Sequence, residues 1–176
     1  MPDNNAIIAR VRAKAIENEA NYSGCAQSVL DALHSEMGIG DKESFKAMTL
    51  LAGGVVRCGE TCGAIIGALA ALGIVAGREK IEDVATYRAL IPVGLELRVA
   101  ILKQLKEEFS LKSDLTSAIC WDIQDEVFGR HFDLRKPDEM AAFQEARKAS
   151  ATGGCARVAG IAAEVAARKI LEMKKV

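Results

Sequence analysis

Five cysteines among 176 residues are too few for a disulfide-stapled scaffold, which runs above about 8–10% cysteine. Their odd number also prevents complete internal pairing. An excess of charge is missing too: 23 Lys and Arg stand against 24 Asp and Glu, a net −1. That balance lacks the basic footprint of a nucleic-acid binder. No apolar run is long enough to span a bilayer. The longest, Cys62–Ala76, has 15 residues where a spanning helix needs about 20. Arg57, Glu60, Arg78 and Glu79 flank it closely, so a buried core helix is expected, without membrane insertion. No secretory pattern opens the chain, because Met1–Asn5 is polar and Arg10, Arg12 and Lys14 interrupt the apolar residues that follow. A soluble, cytoplasmic protein is expected. In a reducing compartment, dispersed cysteines point to metal or redox chemistry rather than structural disulfides. A Cys-x-x-Cys pair, a Cys-x-x-Cys-His haem attachment, a phosphate-binding loop and a Ser/His/Asp arrangement are all lacking. A thioredoxin-like exchanger and covalent c-type haem are therefore not expected.

What is present is half apolar and 27% charged, which excludes disordered and collagen-like chains. The length suits one domain, residues 1–176, with a proper core. Periodicity is helical almost throughout. Ile7, Ile8, Val11, Ala15 and Ile16 share a face within Asp3–Ala20. Ser23 is placed to cap a helix running to Met37, and Asp41 to cap another reaching Ala52. Glu60 or Thr61 opens the apolar helix and Gly77 closes it. A long pattern spans Glu79–Phe109, with Pro92 ending or kinking it near Ile91. Ser113, Asp114 or Ser117 starts a short helix through Val127, and His131–Pro137 reads as a loop. Asp138–Ala149 is helical, Ser150–Gly154 is a break, and Cys155–Met173 is the last helix, ending in Lys174-Lys175 where cations suit the helix dipole. This describes an all-α bundle of about six to eight helices.

All five cysteines fall at or near expected helix starts. Cys25 follows Ser-Gly, Cys58 and Cys62 flank the entry to the apolar helix, Cys120 follows Ser117, and Cys155 follows Thr-Gly-Gly. Free backbone N–H groups and the positive dipole end stabilise a thiolate, which predicts lowered pKa values and metal competence. The plainer alternative treats each as a small buried hydrophobe. Gly59, Gly63, Gly67 and Ala71 recur every four residues, a stripe suited to close packing against another helix of the same chain or of a second copy. A homodimer is one outcome of that stripe.

At these residues the sequence resembles the C_GCAxxG_C_C family of redox proteins, marked by four separated cysteines. The second lies in Cys62-Gly63-Ala64-Ile65-Ile66-Gly67, the first in Gly24-Cys25-Ala26-Gln27-Ser28, and Cys120 and Cys155 complete the order. The likeness covers about Tyr22 to Leu171. It implies a redox role for Cys25, Cys62, Cys120 and Cys155, and a fold similar to the iron–sulfur part of split-Soret cytochromes. Cys58 is an additional thiol outside the family pattern, and the stretch between Cys120 and Cys155 is a long insert.

Three readings follow. Four converging thiolates suit a [2Fe–2S] cluster or another thiophilic metal, for electron transfer with an unidentified redox partner. The same cysteines instead suit dithiol/disulfide chemistry, Cys58 and Cys62 being about 6 Å apart if both lie on one helix. A third reading is a helical interaction module with inert cysteines. His34 and His131 read as surface or capping residues, and Asp122, Asp125 and Glu126 as a solvated face. Tyr22 and Trp121 adjoin cysteines and read as core residues or cofactor shields. No catalytic residue is identified.

Overall fold

The computed structural model describes residues 3–150 and 153–174. Among them the chain forms α1 (Asn4–Tyr22), α2 (Cys25–Met37), α3 (Lys42–Ala47), a 3-10 turn at Thr49–Leu51, α4 (Gly63–Ala76), α5 (Val84–Phe109), α6 (Cys120–Phe128), α7 (Pro137–Ala149) and α8 (Gly154–Met173). The sole extended pairing among these residues is an isolated antiparallel bridge between Thr61 and Ile119. The all-α expectation stands, at eight helices.

Several boundaries move for identifiable reasons. Gly24, not Ser23, is the N-cap of α2, because the chain turns there through positive φ (62° at Ser23, 91° at Gly24). Asp41 does cap α3, in a reciprocal pair with Ser44, but that helix stops at Ala47. The apolar helix α4 starts two or three residues later than expected, with Cys62 as its N-cap. Asp83 caps α5, which runs unbroken through Pro92. Pro92 is exposed, as is Arg88, whose carbonyl loses its usual partner there. Lys175 of the expected cationic end, and Ala151 and Thr152 of the expected break, lie outside the described residues.

Helix α8 is the axis of the fold and packs against α1, α2, α4 and α5. It is buried nearly all round by small residues: Ala159, Ala162, Ala163, Ala166 and Ala167 are all inaccessible. Alanine favours helix and leaves a slim cylinder, so neighbours approach closely. A Cβ at Gly160 would lie 2.5 Å from Ile16 Cγ1 of α1. Arg12 of α1 joins three helices at the rim, meeting Glu108 of α5 at 2.5 Å and Glu164 of α8 at 2.6 Å. These bonds hold the Glu108 carboxyl down at about 2.

The glycine stripe of α4 packs within the chain. A Cβ at Gly67 would stand 2.6 Å from the Ala26 carbonyl oxygen and 3.1 Å from Val29 Cβ, both on α2. Gly73, on the same helix, has nothing within 4 Å of that position. One substitution should therefore have opposite effects. Gly67→Ala should destabilise by about 1–3 kcal/mol through overpacking, whereas Gly73→Ala should gain about 0.5–1 kcal/mol of helix propensity. Urea unfolding of the two variants checks the sign at each position.

Candidate functional site

Cys25, Cys62, Cys120 and Cys155 all line one cavity of about 130 Å³. Each comes from a helix start. Cys25 is the first residue of α2, Cys62 the N-cap of α4, Cys120 the first residue of α6 and Cys155 the second of α8. Three local devices bring these ends together. At Gly63 a Cβ would overlap Cys25 Sγ, so only glycine lets α2 and α4 meet there. The Thr61–Ile119 bridge ties Cys62 to Cys120: Cys62 N–H donates to the Ala118 carbonyl at 2.8 Å, and Cys120 N–H to the Glu60 carbonyl at 2.6 Å. Finally, the turn before α4 folds back on itself through five consecutive left-handed residues, Gly53, Gly54, Val55, Val56 and Arg57. Left-handed φ is strained for β-branched valines, and the surroundings hold it: Gly59 N–H donates to the Gly53 carbonyl and Glu60 N–H to the Gly54 carbonyl.

The cavity lies on a seam between two hydrophobic clusters. Cys25, Cys62 and Cys120 belong to the main core, whereas Cys155 packs against a smaller cluster of Phe132, Leu134 and Phe143. The insert between Cys120 and Cys155 builds that cluster and thereby one wall of the cavity, through Leu134, Met140 and Phe143. Arg147 of α7 anchors this wall to α1. It donates to the Glu19 carbonyl oxygen and to Ser23 Oγ at 2.9 Å, and it lies 3.6 Å from the Glu19 carboxylate.

Electrostatics overturn one expectation. Helix starts do favour the thiolates, through the backbone N–H groups of Gly53 and Ala26 near Cys25 and of Ala64 and Ile65 near Cys62, although none forms a side-chain cap bond to Cys62. Gln124 Nε2 donates to Cys120 Sγ at 3.3 Å. Yet desolvation outweighs them, pushing Cys62 and Cys120 up to about 12 and Cys25 and Cys155 also upward. The expected lowered pKa values are corrected to raised ones: burial costs the charged form more than a few N–H groups return. The four thiols are protonated at neutral pH.

Cys58 stands apart. It sits in the strained turn rather than on a helix, outside the cavity wall, with Sγ 3.9 Å from the Val56 carbonyl oxygen. The helical Cys58–Cys62 spacing therefore does not exist. All five cysteines are free thiols. Tyr22 is 80% exposed and is neither core nor shield. Trp121 covers Gly59 and stacks on His131 at 5.0 Å between centroids. His131 bonds the exposed Asp125 at 2.9 Å, and His34 bonds the Gly40 carbonyl, so both histidines act as surface locks.

Two functional-site residues escaped sequence reading. Gln124 is buried and bridges the site, its Oε1 accepting from Phe132 N–H at 3.0 Å. Its signal is the Cys120-x-x-x-Gln124 spacing, which sets both on one helix face. Glu19 is 4% exposed in the cavity wall, and it follows Val11 and Ala15 at four-residue steps on the buried face of α1. Burial lifts its carboxyl to about 7, against the opposing pull of Arg147 and the 3.2 Å bond from Ser28 Oγ. Folding thus raises this pKa from 4.5, so the folded chain keeps a proton that the unfolded chain releases in that window. Stability is fully present below about pH 4.5 and falls as pH rises towards 7. In the metal-free protein, unfolding free energy should drop by up to about 3 kcal/mol between pH 5 and 8. Glu19→Gln should flatten that slope; chemical denaturation at several pH values measures it.

Comparison with known protein families covers the stretch that holds all five cysteines. Neither the curated proteins nor the solved structures contain a significant match. Residues 23–169 match the family described as "Putative redox-active protein (C_GCAxxG_C_C)". That span begins just before Cys25 and includes Cys62, Cys120 and Cys155, so the chain belongs to the C_GCAxxG_C_C redox-active protein family.

Proposed function

We propose that the protein transfers electrons through an iron–sulfur cluster of the [2Fe–2S] class held by Cys25, Cys62, Cys120 and Cys155. One observation carries this reading: the four thiols of the family pattern line a single cavity of about 130 Å³. Inert core cysteines would be packed at interior density, without open space between them. Here the space is retained although a buried acid, Glu19, adds to its cost. Among the described residues, no three His, Cys, Asp or Glu side chains gather around a point where one ion would sit. The side chains would have to close on a metal group as it binds, whether a single tetrahedral ion or a cluster. Four thiols lining one cavity match the four-cysteine ligand set of the [2Fe–2S] class.

When bound, such a cluster supplies one-electron transfer at a potential set by burial and by hydrogen bonds to its sulfurs. The chain's own residues supply those conditions. Gln124 donates an amide N–H to the Cys120 sulfur, and the backbone N–H groups of Gly53, Ala26, Ala64 and Ile65 lie near Cys25 and Cys62. Arg57 and Arg147 line the same cavity and offset negative charge. Because the thiols hold their protons, occupation must displace them, and affinity must rise with pH. Dithiol exchange is less well supported, since attack requires a thiolate and burial suppresses it at these positions.

Anaerobically purified protein should contain about two iron and two sulfide per chain, with visible absorption. Cys62→Ser and Cys120→Ser should each lose most of the iron, while Cys58→Ser should keep it within twofold. Colourless, iron-free protein, with a bridged cysteine pair found by mass spectrometry after mild oxidation, would transfer the assignment to disulfide chemistry.

A further inference from the structure

The first half of α5 leaves an apolar face uncovered. From Val84 to Glu96 no residue is buried, whereas Leu97, Ile101, Leu102 and Leu105 in the second half are core. Ile81, Val84, Tyr87, Ile91, Leu95 and Val99 are each 43–70% exposed. From Val84 on, their spacing of three or four residues sets them along one helix face. Five of them, from Val84 to Val99, make a continuous exposed apolar stripe about four helical turns long, of the kind that marks an interaction surface. A shallow groove beside them, walled by Leu69 and Leu72 of α4, adds to that surface.

We infer that this face is the interface of a homodimer, α5 packing antiparallel against α5 of a second copy. A two-fold axis demands a self-complementary patch, and this one is nearly symmetric about Ile91–Pro92. Val84 and Val99 lie equally far on either side of that midpoint, while Tyr87 and Leu95 are centred half a residue before it, at Ile91, and Arg88 and Glu96 half a residue after it, at Pro92. Arg88 and Glu96 lie four residues before and after Pro92, both exposed. Antiparallel pairing sets Arg88 beside Glu96 of the partner subunit, and the symmetry repeats the pair. Glu96 also holds Lys169 at 2.7 Å within its own chain, so it is already fixed in place. The interface shares no residue with the proposed cluster site: its α4 wall begins at Leu69, five residues, or about 8 Å, along the helix from Ala64 in the cavity wall.

Sedimentation velocity on the full chain should show a species of twice 18.8 kDa at micromolar concentration. Ile91→Glu with Leu95→Glu should raise the dissociation constant at least a hundredfold while leaving the helical circular dichroism unchanged. Arg88→Glu should weaken association, and combining it with Glu96→Arg should recover at least tenfold of the loss, an outcome that misfolding does not produce. A chain monomeric at 100 µM overturns the inference, as does a dimer indifferent to the Ile91/Leu95 pair or to the charge exchange. A monomer that instead co-sediments with vesicles of mixed neutral and anionic phospholipid reassigns the face to a membrane surface.

Discussion

The close approach of α2 and α4 is the constraint on which the rest of the structure depends. It exists because Gly63 and Gly67 carry no side chain where α2 crosses, so Cys25 Sγ and the Ala26 carbonyl occupy space a Cβ would need. That contact sets the sulfur of Cys25 beside the N-terminal end of α4, where Cys62 caps the helix. The Thr61–Ile119 bridge then draws in Cys120, and α8, slim and alanine-rich, carries Cys155 to the same place. Sequence separations of dozens of residues vanish because four helix starts share one end of the bundle.

At that end two physical effects compete, and their balance defines the site. Helix N-termini favour thiolates by a modest amount that fades within one turn. Removal of water opposes charge far more strongly. Burial wins at all four sulfurs and also at Glu19, whose carboxyl lies near neutrality. The result is a proton-rich pocket in which negative charge is admitted only together with compensating charge. Arg147 is positioned for that: it contacts the main chain and carboxylate of Glu19 while fastening the wall built by the insert. Fold stability and site chemistry are thereby coupled through the same residues.

Much of this was legible in the chain. The helical periodicity gave the fold class, and glycines marked most breaks, because helix formation depends on local pattern and local caps. The four cysteines were recognisable from order and neighbours, and their placement at helix starts was visible from Gly24 before Cys25 and from Gly153-Gly154 before Cys155. Other features depended on tertiary packing. The sign of the pKa shifts required knowing that these helix ends are buried, which a helix start alone does not specify. Cys58 lies off the helix because the chain runs left-handed through 53–57, and Val55 and Val56 carry no sequence signal for positive φ. Pro92 signalled an interruption, yet α5 continues through it on the solvent side of the monomer. Glu19 and Gln124 sat at readable spacings but looked like ordinary polar residues until the opposing walls of the cavity were in place.

A packing constraint brings Cys25, Cys62, Cys120 and Cys155 to one cavity, the proposed redox centre, with Cys58 outside it. Anomalous scattering at the iron edge from crystals of the anaerobically prepared protein tests this most directly. The account predicts iron density inside the cavity, bounded by the sulfurs of Cys25, Cys62, Cys120 and Cys155. Iron bound elsewhere, or ligated by Cys58 in place of one of these four, would contradict it.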